Sequence, residues 1–473
     1  MNRDEKIAFF QHQIQIHLRL AFKPEAFSLW EKFPVLYLPW EEACSTRGCH
    51  LLIPIDQEAP LKPQKPWRVP FGGTTLTLWN PLPPPRGNGW NNWPSPNQTL
   101  WYYHETGSII PAWNLFSNLL DLLTLREERE LPVRDQHGRF PFSESPRHQA
   151  NLLQVPAFNE AVAVLLGAVI GMTTGNSPRL DVTDWLLPTA IVLSHDCDIL
   201  LGNDLITQLI RFYRCWSPLF RAKLPSLRQL YWMGVNSLWN RKYYFNNLAG
   251  MIDVERQYGF RSIFYLLNGQ GGRFGARSGT KIIREASQVI PPSWEMGIHY
   301  NYDTYLEPSR FNQQLQDLQN LVGQEMISGR SHYLRFDPDQ SFHFLAAQGI
   351  KFDESVGYPD FSGYRAGIGG IYAPLKSTGD PSFLELPLVC MDSNLAKEEI
   401  EEAGNSFCRL LNHLEKIGGV MSLLFHPGNF HNPEFPEILG LYARLLDESY
   451  LRGCRCFTPK ELIDLFASSN LEK

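Results

Sequence analysis

Charged residues are scarce in this chain of 473 residues: Asp, Glu, Lys and Arg make up 19% of it, against roughly 25% in an ordinary soluble domain. The net charge is −6, and no block of five or more Lys/Arg occurs. Nothing therefore advertises a nucleic acid or an anionic membrane as a partner. No CxxC pair exists among the eight cysteines, which scatter over positions 44, 49, 197, 215, 390, 408, 454 and 456. They read as free thiols. Cys44, Cys49 and His50 form a loose cluster, but no second ligand pair of matching spacing follows to complete a metal site. Long apolar runs are missing too. The longest, Ala161–Met172, falls short of the roughly 20 residues that span a bilayer. The first residues, Met1–Lys23, mix charges through every turn and hold no secretory h-region. The expectation is a cytoplasmic chain without a transmembrane segment. No repeat of fixed period is present, and the composition excludes a disordered chain, a collagen and a coiled coil.

What is present divides near residue 174. Residues 1–55 read as a helix followed by short strands at 35–38 and 51–54. Residues 56–112 are dense in Pro, Trp, Asn and Gly, which favours turns and edge strands. Their Trp67, Trp79, Trp90, Trp93 and Trp101 offer flat faces that could pack internally or stack on sugar rings. Two apolar helical stretches follow, 113–129 and 159–172, and the Gly/Pro-punctuated segment 173–188 reads as a linker. Beyond 190 short apolar strands (191–194, 261–267, 295–299, 332–336, 385–391, 420–425) alternate with helical stretches (203–222, 226–238, 307–327, 394–416, 434–448). That alternation predicts parallel strands with helical crossovers. The expected organisation is an N-terminal α+β domain over 1–174 and an α/β domain, layered or barrel-like, over 175–473.

Five places could carry chemistry. Ser194-His195-Asp196-Cys197-Asp198 ends the first strand of the second part. Alternate residues of a strand share a face, so Asp196 and Asp198 point one way with Cα atoms roughly 6–7 Å apart, and His195 and Cys197 point the other. Paired carboxylates at the C-terminal tip of a parallel strand lie where α/β active sites form, although an acidic loop capping a helix has the same look. His299 ends another strand, with Asp303 four residues on. If a helical turn starts there, the two face one side like an i,i+4 ligand pair. The plainer reading is a helix cap beside a satisfied histidine. Arg330, His332 and Arg335 interleave with apolar residues. Arg365, set between glycines at 363 and 367, could enter a pocket and hold a carboxylate. His426 follows the last strong strand and could donate a proton.

Taken together and in order, these places resemble the polysaccharide deacetylase (NodB homology) family of carbohydrate esterases. The similarity is greatest to a branch that has His-Asp-x-Asp in place of Thr-Phe-Asp-Asp, here His195-Asp196-Cys197-Asp198. The resemblance runs over about 113–430. It includes the texts 349–358 and 385–392, and 125–129 with 135–140, which look like an uncharacterised domain that often precedes this branch. It implies a distorted (β/α)7 barrel and a metal-dependent carbohydrate de-N-acetylase. The implied cofactor is a divalent ion, zinc first, with manganese, cobalt or magnesium as alternatives. The implied substrate is an N-acetylated amino sugar or polysaccharide. By the same resemblance Asp196 is the catalytic base and Asp198 and His299 are metal ligands. Asp303 stands where the family has a second histidine, so the third ligand is Asp303 or His332. Arg330 or Arg365 keeps Asp196 ionised, the Tyr333 backbone N–H helps to form an oxyanion hole, and His426 is the general acid. The alternative is a catalytically degenerate relative that binds a glycan or a protein. The long stretch between Asp198 and His299 implies a helical insertion, about 203–255, beside the site.

Overall fold

The computed structural model describes residues 1–468 apart from 176, most of 201–242, 270–273, 277, 376–381 and 431–436. The helices expected at 203–222 and 226–238 fall almost wholly outside the described residues.

After the helix Arg3–Ala21, the N-terminal part builds a mixed sheet in the order β1 (Val35–Leu38), β2 (Leu51–Pro54), β7 (Ile109–Pro111), β6 (Trp101–His104), β5 (Trp90–Trp93). β1, β2 and β7 are mutually parallel, and β6 and β5 close the sheet antiparallel. β3 (Trp67–Phe71) and β4 (Thr74–Leu78) form a separate hairpin. The Pro/Trp-rich segment thus supplies short edge and hairpin strands, the places where proline is tolerated. Trp79 and Trp101 are buried, so neither can stack on a sugar; Trp67, Trp90 and Trp93 are only partly buried.

The second part is an all-parallel sheet, nine-stranded among the described residues and curled as a half-barrel. Its path is β13 (Leu384–Glu385), β12 (Phe352–Asp353), β11 (Ser328–Ser331), β10 (Glu295–Tyr300), β9 (Ser262–Leu266), β8 (Ala190–Cys197), β15 (Val420–Leu424), β14 (Cys390–Met391), with β16 (Arg455–Cys456) added to the start of β8. The resemblance implies seven strands; four of the nine observed are only two residues long. β8 is the centre. Its eight residues are all buried, as expected of a parallel strand covered on both faces. Ser194 pairs with Ile263 of β9 on one side and Leu424 of β15 on the other. Because every strand runs the same way, all their C-terminal tips meet at one rim.

Local departures from the sequence reading have plain causes. The helical stretch 113–129 splits into Leu115–Leu123 and Arg126–Glu130 because Leu125 sits at φ 53. The segment 385–391 splits into β13 and β14. The strand expected at 332–336 lies earlier, at β11, and 332–334 form a single 3-10 turn.

The helix Ala157–Thr174 is apolar on all sides and long enough to cross a membrane, but 89% of it is buried inside the protein. It is the shared core helix of the two parts. Asn159 exchanges hydrogen bonds with Gly369 and donates to the Gly418 carbonyl. One apolar cluster runs without a break from Phe9 to Cys454. The expected linker is packed rather than free. The Arg179 N–H donates to the Gly167 carbonyl at 2.9 Å, and a Cβ on Gly171 would lie 2.1 Å from the Ser177 carbonyl oxygen.

Candidate metal centre

Four strand tips deliver the site. β8 carries Asp196 and, just past its end, Asp198. β10 carries His299, β11 carries Arg330 and leads into His332, and β15 leads into His426. Alternation along β8 does what the spacing predicts. Ser194 and Asp196 both meet Arg330, whereas His195 turns to the other face. There its Nε2 lies 2.8 Å from Glu255 and its Nδ1 2.8 Å from the Phe425 carbonyl.

Arg330 has no exposed side-chain surface. It donates to Asp196 Oδ1 at 2.8 Å, to Ser194 Oγ at 2.7 Å and to the Glu354 carbonyl at 3.0 Å, and it pairs with the Glu354 carboxylate at 3.1 Å. Burial pushes the Asp196 carboxyl up, but Arg330, then His299 and His426, outweigh it and hold Asp196 below the usual carboxylate range. Glu354 shares the same cation and is buried further from other positive charge. Burial lifts it to about 7 against the pull of Arg330.

Asp198, at the mouth, faces three imidazoles. Its carboxylate oxygens lie 3.0 Å from His299 Nε2, 3.7 Å from His332 Nε2 and 3.9 Å from His426 Nε2. Burial raises its pKa, yet the histidines together hold it well below an ordinary aspartate. His299 is oriented from behind. Its Nδ1 lies 2.9 Å from the Arg330 carbonyl. A carbonyl only accepts, so Nδ1 carries the hydrogen and Nε2 points its lone pair or its second proton at Asp198. Burial lowers the His299 pKa, and Asp196 and Asp198 more than reverse that. His332 is lowered to about 4 by burial, which the nearby Asp198 charge only partly offsets.

Asp198, His299 and His332 each offer a ligand atom within 4.8 Å of the other two. Two imidazoles and one carboxylate are a donor set for zinc, and also for manganese, iron or cobalt. A histidine whose far nitrogen is tied to a carbonyl is the usual form of a metal ligand. The residues present therefore fit a divalent ion.

Asp303 stands outside this group. β10 continues to Tyr300, and the chain then turns through Tyr302–Thr304 under an Asn301 cap. His299 is thus on a strand, no i,i+4 helical face forms, and Asp303 binds Asn301 Nδ2 at 2.6 Å and faces Arg310 at 3.7 Å. Arg365 is likewise not at Asp196. It is fully buried, donates to both Glu128 oxygens at 2.7 and 2.5 Å and to the Gly357 carbonyl at 2.9 Å, and ties the N-terminal part to the barrel. Of the two arginines considered, Arg330 is the one on Asp196. Cys44 is buried and Cys49 exposed, and neither belongs to the ligand group. Tyr333 sits beside the ligands at φ 63 and ψ 14.

Three contributors escaped the sequence reading. Asp392 receives the His426 backbone N–H at 2.7 Å and the His426 Nδ1 at 2.8 Å. Burial would depress the His426 pKa, but Asp392 drives it up to about 10. Asp392 begins the helical turn after β14 and closes the text 385–392, which the resemblance covers without giving Asp392 a role. Glu354 lies just after β12 within the text 349–358, which the resemblance covers without giving Glu354 a role. Arg139 donates to the Tyr333 carbonyl from the N-terminal part, across a separation no motif reveals.

No family model matches the chain, and no curated protein matches it. Several solved structures do, at low identity. Puue allantoinase is 14% identical with a TM-score of 0.39, over 59% of this chain and 90% of that one. The peptidoglycan deacetylase PdaC from Bacillus subtilis is 10% identical with a TM-score of 0.33, over 60% and 95%. A CE4-family pseudoenzyme from Bacillus anthracis is 11% identical with a TM-score of 0.29, over 59% and 66%. At such scores the likeness decides neither the fold nor the chemistry, which rest on the strand order and the side chains themselves.

Proposed function

We propose that this chain is a metal-dependent hydrolase that removes N-acetyl groups from an amino sugar or polysaccharide. One observation carries the reading: a carboxylate kept ionised by a buried arginine lies within reach of a three-ligand cluster and of a charged histidine, all at one rim. Asp198, His299 and His332 hold the ion, with zinc the first choice by donor type. A bound divalent ion would acidify water towards a pKa of about 7 and polarise the acetyl oxygen.

The protein's own groups do the rest. Asp196, deprotonated because Arg330 faces it, accepts the proton of the attacking water. Its second oxygen lies 3.8 Å from His299 Nε2, on the side of the ligand cluster. The Tyr333 N–H donates to the developing oxyanion. His426, charged because Asp392 backs it, gives its proton to the departing amine as the C–N bond breaks. Arg365 and Asp303 have no part in these steps.

The test is acetate release from a panel of N-acetylated sugars and oligosaccharides, with and without added Zn²⁺ or Co²⁺. Asp196→Asn is expected to cut turnover by at least roughly 100-fold while leaving metal content intact. A well-folded protein that takes up no ion and releases no acetate fits the binding-module alternative instead. An amide other than an acetylated sugar completes the panel as the control for substrate class.

A further inference from the structure

The segment Asp135-Gln136-His137-Gly138-Arg139 has no role in the steps above, yet it reaches the rim of the site. It is a tight turn. Asp135 Oδ1 accepts the backbone N–H groups of His137 and Arg139 at 2.8 and 2.9 Å, and its Oδ2 accepts Arg139 Nε at 2.7 Å. Gly138 closes the turn at φ +76. So braced, Arg139 donates from Nη1 to the Tyr333 carbonyl at 2.8 Å. The His137 ring stacks on the Tyr333 ring, with centroids 4.6 Å apart and planes 22° apart.

Tyr333 is one of two consecutive residues in the left-handed region, with Leu334 at φ 54. Side-chain-bearing residues stay there only when their surroundings hold them. Leu334 is held by Leu388, Met391 and Leu424. Tyr333 is held by the 135–139 turn. His332 immediately precedes it. Unlike His299, His332 has no hydrogen bond on its far nitrogen among the described residues, although that Nδ1 is buried. No hydrogen bond from behind sets the aim of the imidazole. Its ring is placed by contacts with the Tyr333 ring at 4.4 Å and the His299 ring at 5.0 Å, and by the Tyr333 backbone that the 135–139 turn holds.

We propose that the Asp135–Arg139 turn is a positioning element of the metal centre. By clamping the Tyr333 carbonyl it fixes the His332 arm, so the N-terminal part completes the ligand set without touching the ion. This rests on the reading that Asp198, His299 and His332 bind a divalent ion.

The experiment titrates the full chain with Co²⁺ against a competing chelator and follows the visible absorption of the bound ion. Arg139→Met is expected to weaken Co²⁺ binding 10- to 100-fold, the usual effect of losing an outer partner of a ligand, and to change the band shape as His332 loosens. Arg139→Lys, which can still donate to the carbonyl, recovers part of the loss. Asp135→Asn weakens binding in the same direction, and the Asp135→Asn/Arg139→Met double variant is no worse than Arg139→Met alone. Thermal unfolding in excess chelator separates this from general damage, since a purely structural role would lower stability and leave Co²⁺ affinity where it was. Parent-like affinity in Arg139→Met overturns the proposal. Should that variant fail to fold, parent-like affinity in both Arg139→Lys and Asp135→Asn overturns it. If the unmodified chain binds no Co²⁺, the metal-centre reading fails and the positioning role falls with it; if it binds and Arg139→Met binds equally well, only the positioning role fails.

Discussion

Arg330→Met is the most informative single change. The guanidinium has no exposed surface and is the cation shared by Asp196 and Glu354. Methionine keeps much of the volume but leaves Glu354 buried without its positive partner and Asp196 with only the His299 and His426 imidazoles to oppose its burial. Removing one partner of a buried ion pair costs about 3–5 kcal/mol, a large share of the roughly 5–15 kcal/mol that holds a domain folded. By contrast Arg256–Asp253, with side chains 56% and 65% exposed, is worth at most about 1 kcal/mol, so Arg256→Met is the matched control. The pH dependence has a definite sign. In the parent, Asp196 titrates below its ordinary value. Its contribution is present above the ordinary aspartate pKa and is lost as pH falls through the lower folded one. Without Arg330, burial acts with much less opposition, the Asp196 pKa rises, and the acid limb of the rate profile moves up by roughly 1–3 pH units. Glu354→Gln added to Arg330→Met removes one stranded carboxylate and is expected to restore at least about 1 kcal/mol. Urea unfolding with a pH–rate profile measures both effects. A loss under about 1 kcal/mol together with an unmoved acid limb would refute the shared-cation account.

Two further outcomes follow from other contacts. Asp392→Asn removes the main support of the His426 charge; since that imidazole sits at about 10 in the parent and must be protonated to act, the alkaline limb is expected to fall by roughly 1–3 pH units, and a profile unchanged above neutrality would exclude His426 as the acid. Gly171→Ala drives a methyl group into the Ser177 carbonyl and is expected to cost about 1–3 kcal/mol in urea unfolding, with metal affinity unchanged.

The parts of this architecture that were legible are those governed by local pattern. The β-branched run at 191–194 marks the central strand, and strict alternation alone places Asp196 opposite His195. His299 and His426 were legible as strand-end polar residues, and parallel strands bring such ends together; Arg330 and His332 stood out only as charges interleaved with apolar residues, because the strand that delivers them, expected at 332–336, ends at Ser331. What stayed hidden depends on chain geometry between elements or on pairings across long separations. The choice between Asp303 and His332 turned on whether the chain after Tyr300 continues as a helix, and an Asn301 cap decided against it. Arg365 looked like a pocket residue because glycines flank it, yet its partner, Glu128, lies far back in the sequence within a helix of only five residues. The Trp-rich segment offered five flat rings, and only packing could tell that Trp79 and Trp101 face the interior. The same holds for Arg139, whose partner is a backbone carbonyl that no side-chain motif marks.

The most direct test of the central claim is anomalous X-ray scattering at the zinc edge from crystals of the full chain grown with Zn²⁺. The account predicts one fully occupied peak about 2.0–2.2 Å from a carboxylate oxygen of Asp198 and the Nε2 atoms of His299 and His332, with Asp303 still on Asn301. No peak between those three side chains, or a peak ligated by Asp303 in place of His332, would contradict it.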